Sequence, residues 1–123
     1  MESRLVDGQW TEATVASFSG TYPDIDPWLS PDGESLYFSS IRPVEGATRT
    51  DADLWRVDGV GDGWGEPVHL TAVNTDSDEL GASITADSVL WFASDRPGGA
   101  GGWDPYTAQL DGDGFATPEP VSP

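Results

Sequence analysis

The chain has 123 residues, with 15 glycines, 10 prolines and no cysteine, which limits it to one small domain and excludes disulfides and thiolate metal sites. Its 22 acidic and 5 basic residues give a formal net charge of −17 at pH 7. Because this charge repels phosphate groups, nucleic acid and the anionic membrane surface are poor candidate partners. No stretch resembles a signal peptide or is long enough for a membrane span, so we expect a soluble protein.

Short alternating runs of aromatic and polar residues, separated by glycine, proline and aspartate, predict an all-β protein. The first predicted element is an outer strand around Trp10, in "GQWTEA". The same motif recurs around Trp64, in "GWGEPV", and around Phe115, in "GFATPEPV". We therefore expect three outer strands with a repeated unit between each pair.

The strands of the first unit follow in chain order. "DPWLS" and "ESLYFSS" are predicted to pair antiparallel through "SPDG", since Pro31 and Gly33 suit a tight turn. In the second of these strands, Leu36 and Phe38 face one way and Tyr37 faces the other. "DLWRV" is the predicted third strand, and "DGVGDG" turns the chain into its outer strand.

The second unit repeats the first, with Leu36 matched by Leu90 and Phe38 by Phe92. Its strands are "SVLWFAS" and "PYTAQ", and "DGDG" leads into its outer strand. "TADS" stands where the first unit has "SPDG". Because it contains neither glycine nor proline, we expect this second hairpin to be less well specified.

Four antiparallel strands per repeat of about 50 residues are typical of a β-propeller blade. We therefore predict an all-β fold with two four-stranded antiparallel blades in a single domain, residues 1–123. The predicted first blade repeat is 8–61, the second is 62–112, and 113–123 is a partial third outer strand.

The repeats resemble a known family. "DPWLSPDGESLYFSSIRP" and "LWFASDRPGGAGGWDPY" are similar to TolB-like β-propeller repeats, which also occur in envelope proteins that carry OmpA-like domains. The resemblance implies blades that serve as protein-interaction or scaffolding platforms, and it suggests the cell envelope or periplasm if the chain is part of a longer protein. The chain departs from the family pattern at Ile41, where the second repeat has Asp95, and at "TADS".

Two blades cannot close a ring, and a lone pair leaves two apolar faces open. We therefore expect the chain to form a homo-oligomer, with a trimer closing six blades as the favoured arrangement. Association should strengthen with salt, because salt screens the repulsion between acidic copies. The alternative is that the chain is a part of a longer propeller.

Arginine and carboxylate residues recur at equivalent positions, with Asp26 predicted beside Arg42 and Glu79 beside Arg96. A pair of this kind would tie each hairpin to its loop, and this structural role is favoured over ligand binding by Arg42 and Arg96. Aromatic residues also recur at fixed repeat positions, which predicts packing in the core and between blades. These aromatic residues are Tyr37, Trp91, Trp55, Tyr106, Trp10, Trp64 and Phe115.

Trp28 and Trp103 do not recur, which makes them, with the neighbouring Asp104, candidates for ligand binding, and core packing is the competing interpretation. The favoured function is a non-catalytic protein-interaction or scaffolding module. The alternative is a small oligomeric lectin that binds glycans through Trp28 and Trp103, and a fragment of a propeller hydrolase is a more distant one.

The sequence indicates no catalytic residue, metal or cofactor. The single histidine, His69, has no cysteine or Ser/Asp constellation around it in the sequence. The aspartate-rich loops fit tight Asp-Gly turns better than the calcium-loop template, which requires a glutamate where His69 stands.

Overall fold

The computed structural model describes residues 1–48 and 50–121. Over these residues the chain is all-β, with antiparallel pairing throughout and no helix, which confirms the predicted class. The described chain accordingly offers no helix long and apolar enough to cross a membrane. Ser122 and Pro123, at the end of the predicted segment 113–123, lie outside the described residues.

The N-terminal segment forms a small hairpin of its own. Strands β1 (Leu5–Val6) and β2 (Gln9–Trp10) pair antiparallel around a turn at Asp7 and Gly8. Both turn residues have positive φ, as two-residue hairpin turns of type I′ require. An isolated bridge between Glu2 and Thr14 extends the pairing beyond the hairpin.

The first sheet has the strand order β3-β4-β5-β6, and a fifth strand, β7, also pairs with β5. Its strands are β3 (Asp24–Leu29), β4 (Ser35–Ser40), β5 (Asp53–Val60), β6 (Gly63–Trp64) and β7 (Val68–His69). β3 and β4 form the hairpin predicted across "SPDG", and β6 is the outer strand predicted around Trp64.

The second sheet repeats this order as β8-β9-β10-β11, with a fifth strand, β12, on β10. Its strands are β8 (Glu79–Ile84), β9 (Val89–Ser94), β10 (Asp104–Asp111), β11 (Gly114–Phe115) and β12 (Glu119–Pro120). Both sheets are curled. The third strands predicted at "DLWRV" and "PYTAQ" lie in β5 and β10.

The two sheets begin and end at different residues from the predicted repeats 8–61 and 62–112. Each short outer strand pairs with the long strand before it, β6 with β5 and β11 with β10. The sheets therefore span residues 24–69 and 79–120. The third outer strand, predicted within 113–123, is β11, and it belongs to the second sheet through its pairing with β10.

The "TADS" hairpin forms in the same manner as the "SPDG" hairpin, although its turn chemistry is poorer. Gly33 leaves the first turn with φ 77°, and Ser88 takes the equivalent place with φ 65°. The backbone N–H of Thr85 donates to the carbonyl of Val89 (3.0 Å), and the Thr85 hydroxyl bonds Asp87. The first turn has the equivalent bond, from the Ser30 hydroxyl to Asp32, so the two turns share their side-chain hydrogen bond although only the first contains glycine and proline.

The alternation predicted for the second strand is confirmed, and it gives each sheet two distinct faces. We call the front face the one that carries Phe38 in the first sheet and Phe92 in the second, and the back face the one that carries Tyr37 and Trp91. The back of the first sheet packs on the front of the second. The buried cluster at this contact comprises Tyr37, Leu54, Leu70, Val73, Ala82, Ile84, Leu90, Phe92, Tyr106, Ala108 and Phe115.

The front of the first sheet carries a second, smaller core. Phe38, Trp55 and Val57 are buried there. The segment before β3 covers part of this face, since the Phe18 ring lies 5.0 Å from the Phe38 ring, centroid to centroid. Trp64 packs edge-on against the same Phe18 ring at 6.3 Å.

Candidate functional site

A buried ion pair closes the end of the β8–β9 hairpin. The Glu79 side chain is fully buried, and its carboxylate lies 3.1 Å from Arg96. It also accepts hydrogen bonds from the Thr75 hydroxyl (2.6 Å) and the Ser94 hydroxyl (2.8 Å). Arg96 donates in addition to the carbonyl of Val73 (2.6 Å). These bonds compensate the cost of burying both charges and tie the hairpin to the segment before it.

The first sheet repeats this arrangement with an aspartate. Arg42 donates to Asp24 (2.7 Å), to the Ser40 hydroxyl (3.1 Å) and to the carbonyl of Phe18 (3.3 Å). Its guanidinium lies over the Phe38 ring, 4.9 Å from the centroid, as that of Arg96 lies 5.2 Å from the Phe92 centroid. Both guanidinium groups are therefore directed into the protein, which favours the structural role over ligand binding.

The predicted pairing of Asp26 with Arg42 is wrong, because Asp24 is the residue equivalent to Glu79. Asp24 pairs with Ser40 in register, as Glu79 pairs with Ser94. Both β3 and β8 then bulge, and Asp26 sits in the bulge with φ 52°. Because both strands carry the bulge at the same place, the pairing register matches Asp24 with Glu79 without a gap, and the sequence match of Asp26 with Glu79 was displaced by two residues.

The environment of Asp24 favours its charged form. Burial alone would raise the pKa of this carboxyl, but hydrogen bonds from Ser19, Ser40 and Arg42 and the positive charge of Arg42 outweigh that effect. The pKa of Asp24 is therefore held below its ordinary value of 3.8.

His69 belongs to a polar cluster that the sequence does not reveal. Its Nε2 lies 2.8 Å from Asp53 and 2.9 Å from the amide nitrogen of Asn74. Asn74 also bonds both backbone groups of Leu54, accepting at 2.7 Å and donating at 2.9 Å. These bonds fix the beginning of β5 to the loop that leads into the second sheet.

The hydroxyl of Thr71 lies 3.1 Å from Nδ1 of His69, so a hydroxyl, an imidazole and a carboxylate are in line. The Asn74 amide, which also bonds the backbone of β5, lies within hydrogen-bond distance of the same imidazole nitrogen, Nε2, as the Asp53 carboxylate. The three main clefts among residues 1–48 and 50–121 are lined by other residues. We interpret the cluster as a structural clasp. Across those same residues, no three His, Asp or Glu side chains are grouped to hold a metal ion.

Trp28 and Trp103, the candidate ligand-binding residues, are exposed but are not brought together. The Trp28 indole N–H donates to the carbonyl of Ile84, at the end of β8 (3.3 Å). Trp103 precedes Asp104, which pairs with Ser94 at the opposite end of the sheet. A six-residue strand, roughly 17–20 Å long, thus separates the two indoles along the sheet. The Asp104 carboxylate accepts from the backbone of Gly101 (3.1 Å), within its own glycine-rich loop.

Equivalent residues of the two sheets differ sharply in burial. On the back faces, Tyr37 is 3 % exposed in the first sheet, whereas Trp91 is 41 % exposed in the second. On the front faces, Ile84 is 6 % exposed in the second sheet, whereas Leu29 is 51 % exposed in the first. The buried member of each pair lies between the sheets, and the exposed member lies on an outer face. The two outer faces therefore present apolar side chains of the kind that the chain buries internally.

The other recurring aromatic residues follow the same rule. Trp55, Tyr106 and Phe115 are buried, as predicted, and Trp64 is partly buried. Trp10, on the N-terminal hairpin, is exposed. Trp10 and Trp91 are therefore not core residues of the single chain, and for them packing between blades stays a prediction.

A cleft of about 600 Å³ lies beside the front face of the first sheet. The N-terminal residues Met1–Arg4 form one wall, and Leu36, Phe38 and Trp64 line the other side. The Trp64 indole N–H donates across the cleft margin to Glu2 (3.1 Å). Apolar side chains of the first sheet therefore border this cleft.

Comparisons with protein-family models and with curated proteins find no match to this chain.

Proposed function

We propose that the chain is a non-catalytic module of β-propeller-type repeats that serves as a protein-interaction or scaffolding platform and completes its ring by self-assembly. The observation that carries the proposal is the back-to-front packing of two sheets with the same strand order. Such packing is head-to-tail: it leaves one front face and one back face unpaired, whatever the number of sheets in the row. Head-to-tail contacts close into rings when the rotation between units allows it.

The contact between the sheets supports repetition. β8 of the second sheet packs against β3, β4 and β5 of the first. Tyr37, from the back of the first sheet, meets the outer-strand residue Phe115 of the second, with ring centroids 6.3 Å apart. A third sheet of the same kind could continue the row on either side, because both faces that it needs are present.

The N-terminal segment supports the same interpretation, because it has the form of the outer part of a further sheet. Leu5 pairs with Trp10 as Leu110 pairs with Phe115. One backbone bond recurs after each outer turn: Thr11 N–H to Arg4 O (2.8 Å), Gly65 N–H to Asp58 O (2.8 Å) and Ala116 N–H to Gln109 O (2.9 Å). Residues 1–15 thus repeat the outer strands of both sheets in front of the first sheet.

The absolute mass in solution, measured by light scattering over a range of protein and salt concentrations, tests the proposal. We expect discrete multiples of 13.1 kDa, with a trimer favoured, that become more populated as salt rises. A monomer at every protein and salt concentration would exclude self-assembly. Binding on a glycan array that is lost in Trp28→Ala or Trp103→Ala would favour the lectin instead, and hydrolysis of any glycoside or peptide would contradict a non-catalytic role.

A further inference from the structure

We propose that the partner of the first sheet's front face is the second sheet of another copy, and that Trp91 of that copy enters the cleft beside Trp64. This inference rests on the proposed function and specifies which surfaces meet. It is argued from the contact that the chain already makes between its own two sheets.

Three interactions define that internal contact. The Tyr37 ring packs on Phe115, Trp28 donates to the carbonyl of Ile84, and Arg56 donates to the carbonyl of Asp113 (3.3 Å). Tyr37, Trp28 and Arg56 lie on the back of the first sheet. Their partners lie on the front or at the outer turn of the second.

The outer faces carry equivalent residues for each interaction. Register places Trp91 at the position of Tyr37, Ser83 at that of Trp28 and Thr107 at that of Arg56. On the receiving side, Trp64, Leu29 and Asp62 stand where Phe115, Ile84 and Asp113 stand in the second sheet. The aromatic contact can therefore be repeated between copies with a larger pair of rings, whereas Ser83 is too short to reproduce the indole hydrogen bond. We infer that the contact between copies depends mainly on Trp91.

The cleft has the place and the shape that this docking requires. It lies against Leu36, Phe38 and Trp64, where the sheet that precedes the first one would insert its second strand. Its volume of about 600 Å³ lies within the range of sites that enclose an organic ligand of moderate size, so it can take an indole. Met1–Arg4 border the recess on the side away from the sheet.

Docking has a further consequence for the N-terminal segment. Residues 2–15 occupy the position that residues 107–120 of the incoming copy would take, because both segments form the same outer strands with the same bridge. Only one of them can occupy that position, so one outer segment must replace the other when two copies meet. The segment that stays makes the same backbone hydrogen bonds as the one it replaces, since the two pair in the same register, and the displaced segment becomes exposed to solvent.

Two substitutions on opposite faces test whether the contact is head-to-tail. Leu29→Gln alters the front face and leaves the back intact, whereas Trp91→Gln alters the back face and leaves the front intact. Both side chains are exposed in the single chain, so neither change should impair folding, which thermal unfolding will verify. We expect each variant alone to associate at least about tenfold more weakly than the unmodified chain, as is usual for a central aromatic or apolar contact.

The mixture of the two variants gives the decisive result. An equimolar mixture retains one intact front and one intact back, so we expect a heterodimer of 26.2 kDa, twice 13.1 kDa, that does not grow further. Trp103→Gln, the same change at an exposed loop tryptophan, should leave association unchanged.

The failures are distinguishable. If the unmodified chain assembles but both variants assemble equally well, the proposed docking is wrong and self-assembly stands. If the mixture stays monomeric while the unmodified chain assembles, the contact is not head-to-tail. If the unmodified chain is monomeric throughout, the proposed function falls as well.

Amide hydrogen exchange tests the replacement of one outer segment by the other. In the assembled state, either residues 2–15 or residues 107–120 should lose protection relative to the monomer. Undiminished protection of both segments in the assembly would overturn the docking geometry.

Discussion

At the scale of the residue, the same arginine environment is built twice with different acids. Arg96 meets a glutamate and Arg42 an aspartate, and in both cases a serine two residues before the arginine bonds its Nε. The shorter acid of the first sheet is less completely buried, since the Asp24 side chain retains 7 % exposure and that of Glu79 none. The cost of removing the arginine should therefore be larger in the second sheet.

Arg96→Met should lower the free energy of unfolding by about 3–5 kcal/mol, because it leaves the Glu79 carboxylate buried without its counter-charge. Urea denaturation will measure the loss. Arg4→Met, at an exposed arginine of the N-terminal segment, is the matched control and should cost less than about 1 kcal/mol. A loss as small as the control's would show that the buried pair does not contribute to stability in this way.

Asp24 should make the protein less stable in acid. Its pKa is lower in the folded chain than in the unfolded one, so between the two values the unfolded chain binds more protons and stability rises with pH. This contribution is fully present above about pH 4 and is lost as the pH falls through the folded pKa. Asp24→Asn should flatten the slope of unfolding free energy against pH in that window.

Asp32 contributes a slope of the same sign, because the Ser30 hydroxyl and the Glu34 backbone N–H lower its pKa, and this slope should persist in the variant. Glu12→Gln, at an exposed carboxylate, is the control substitution. If Asp24→Asn left the dependence of the unfolding free energy on pH unchanged in acid, the assigned role of this carboxylate would be contradicted.

At the scale of the element, the two equivalent hairpins differ in the residue that adopts the left-handed backbone conformation in the turn. Ser88 adopts the left-handed backbone conformation that Gly33 adopts in the first hairpin, and this conformation costs a residue with a Cβ roughly 1–2 kcal/mol. Ser88→Gly should therefore raise the free energy of unfolding by about 1 kcal/mol, and Gly33→Ser should lower it by a similar amount. Chemical denaturation of both variants checks the prediction, and changes of the same sign in the two would refute it.

The sequence was sufficient to predict the strands and the repeat, because alternation in "ESLYFSS" and "SVLWFAS" determines which side chains share a face. It was insufficient for the bulge in β3, since "DIDPW" offers two aspartates and only the three-dimensional register distinguishes Asp24 from Asp26. The Asp53–His69–Asn74 cluster was missed for a related reason. Its members lie on different segments, and nothing in the local sequence indicates that β7 returns to pair with β5.

At the scale of the whole molecule, the burial of the aromatic residues depends on what lies beside each sheet. Tyr37 and Trp91 have the same place in their strands, but only the first has a sheet packed over it. The prediction of packing in the core and between blades came from the repeat alone, which carries no information about where the row of sheets ends. If copies join as proposed, Trp91 becomes buried by the neighbour, as Tyr37 is buried within the chain.

Hydroxyl-radical footprinting, read residue by residue with mass spectrometry, tests this central claim most directly. Samples at low and high protein concentration in high salt compare the separate chain with the assembly, and Trp103 serves as the internal reference because it is an exposed tryptophan of the loop before β10. We predict that the reactivity of Trp91 and Leu29 falls on assembly while that of Trp103 stays constant. Assembly with Trp91 and Leu29 as reactive as in the single chain would contradict the account, because the two outer faces would then not be the surfaces that meet.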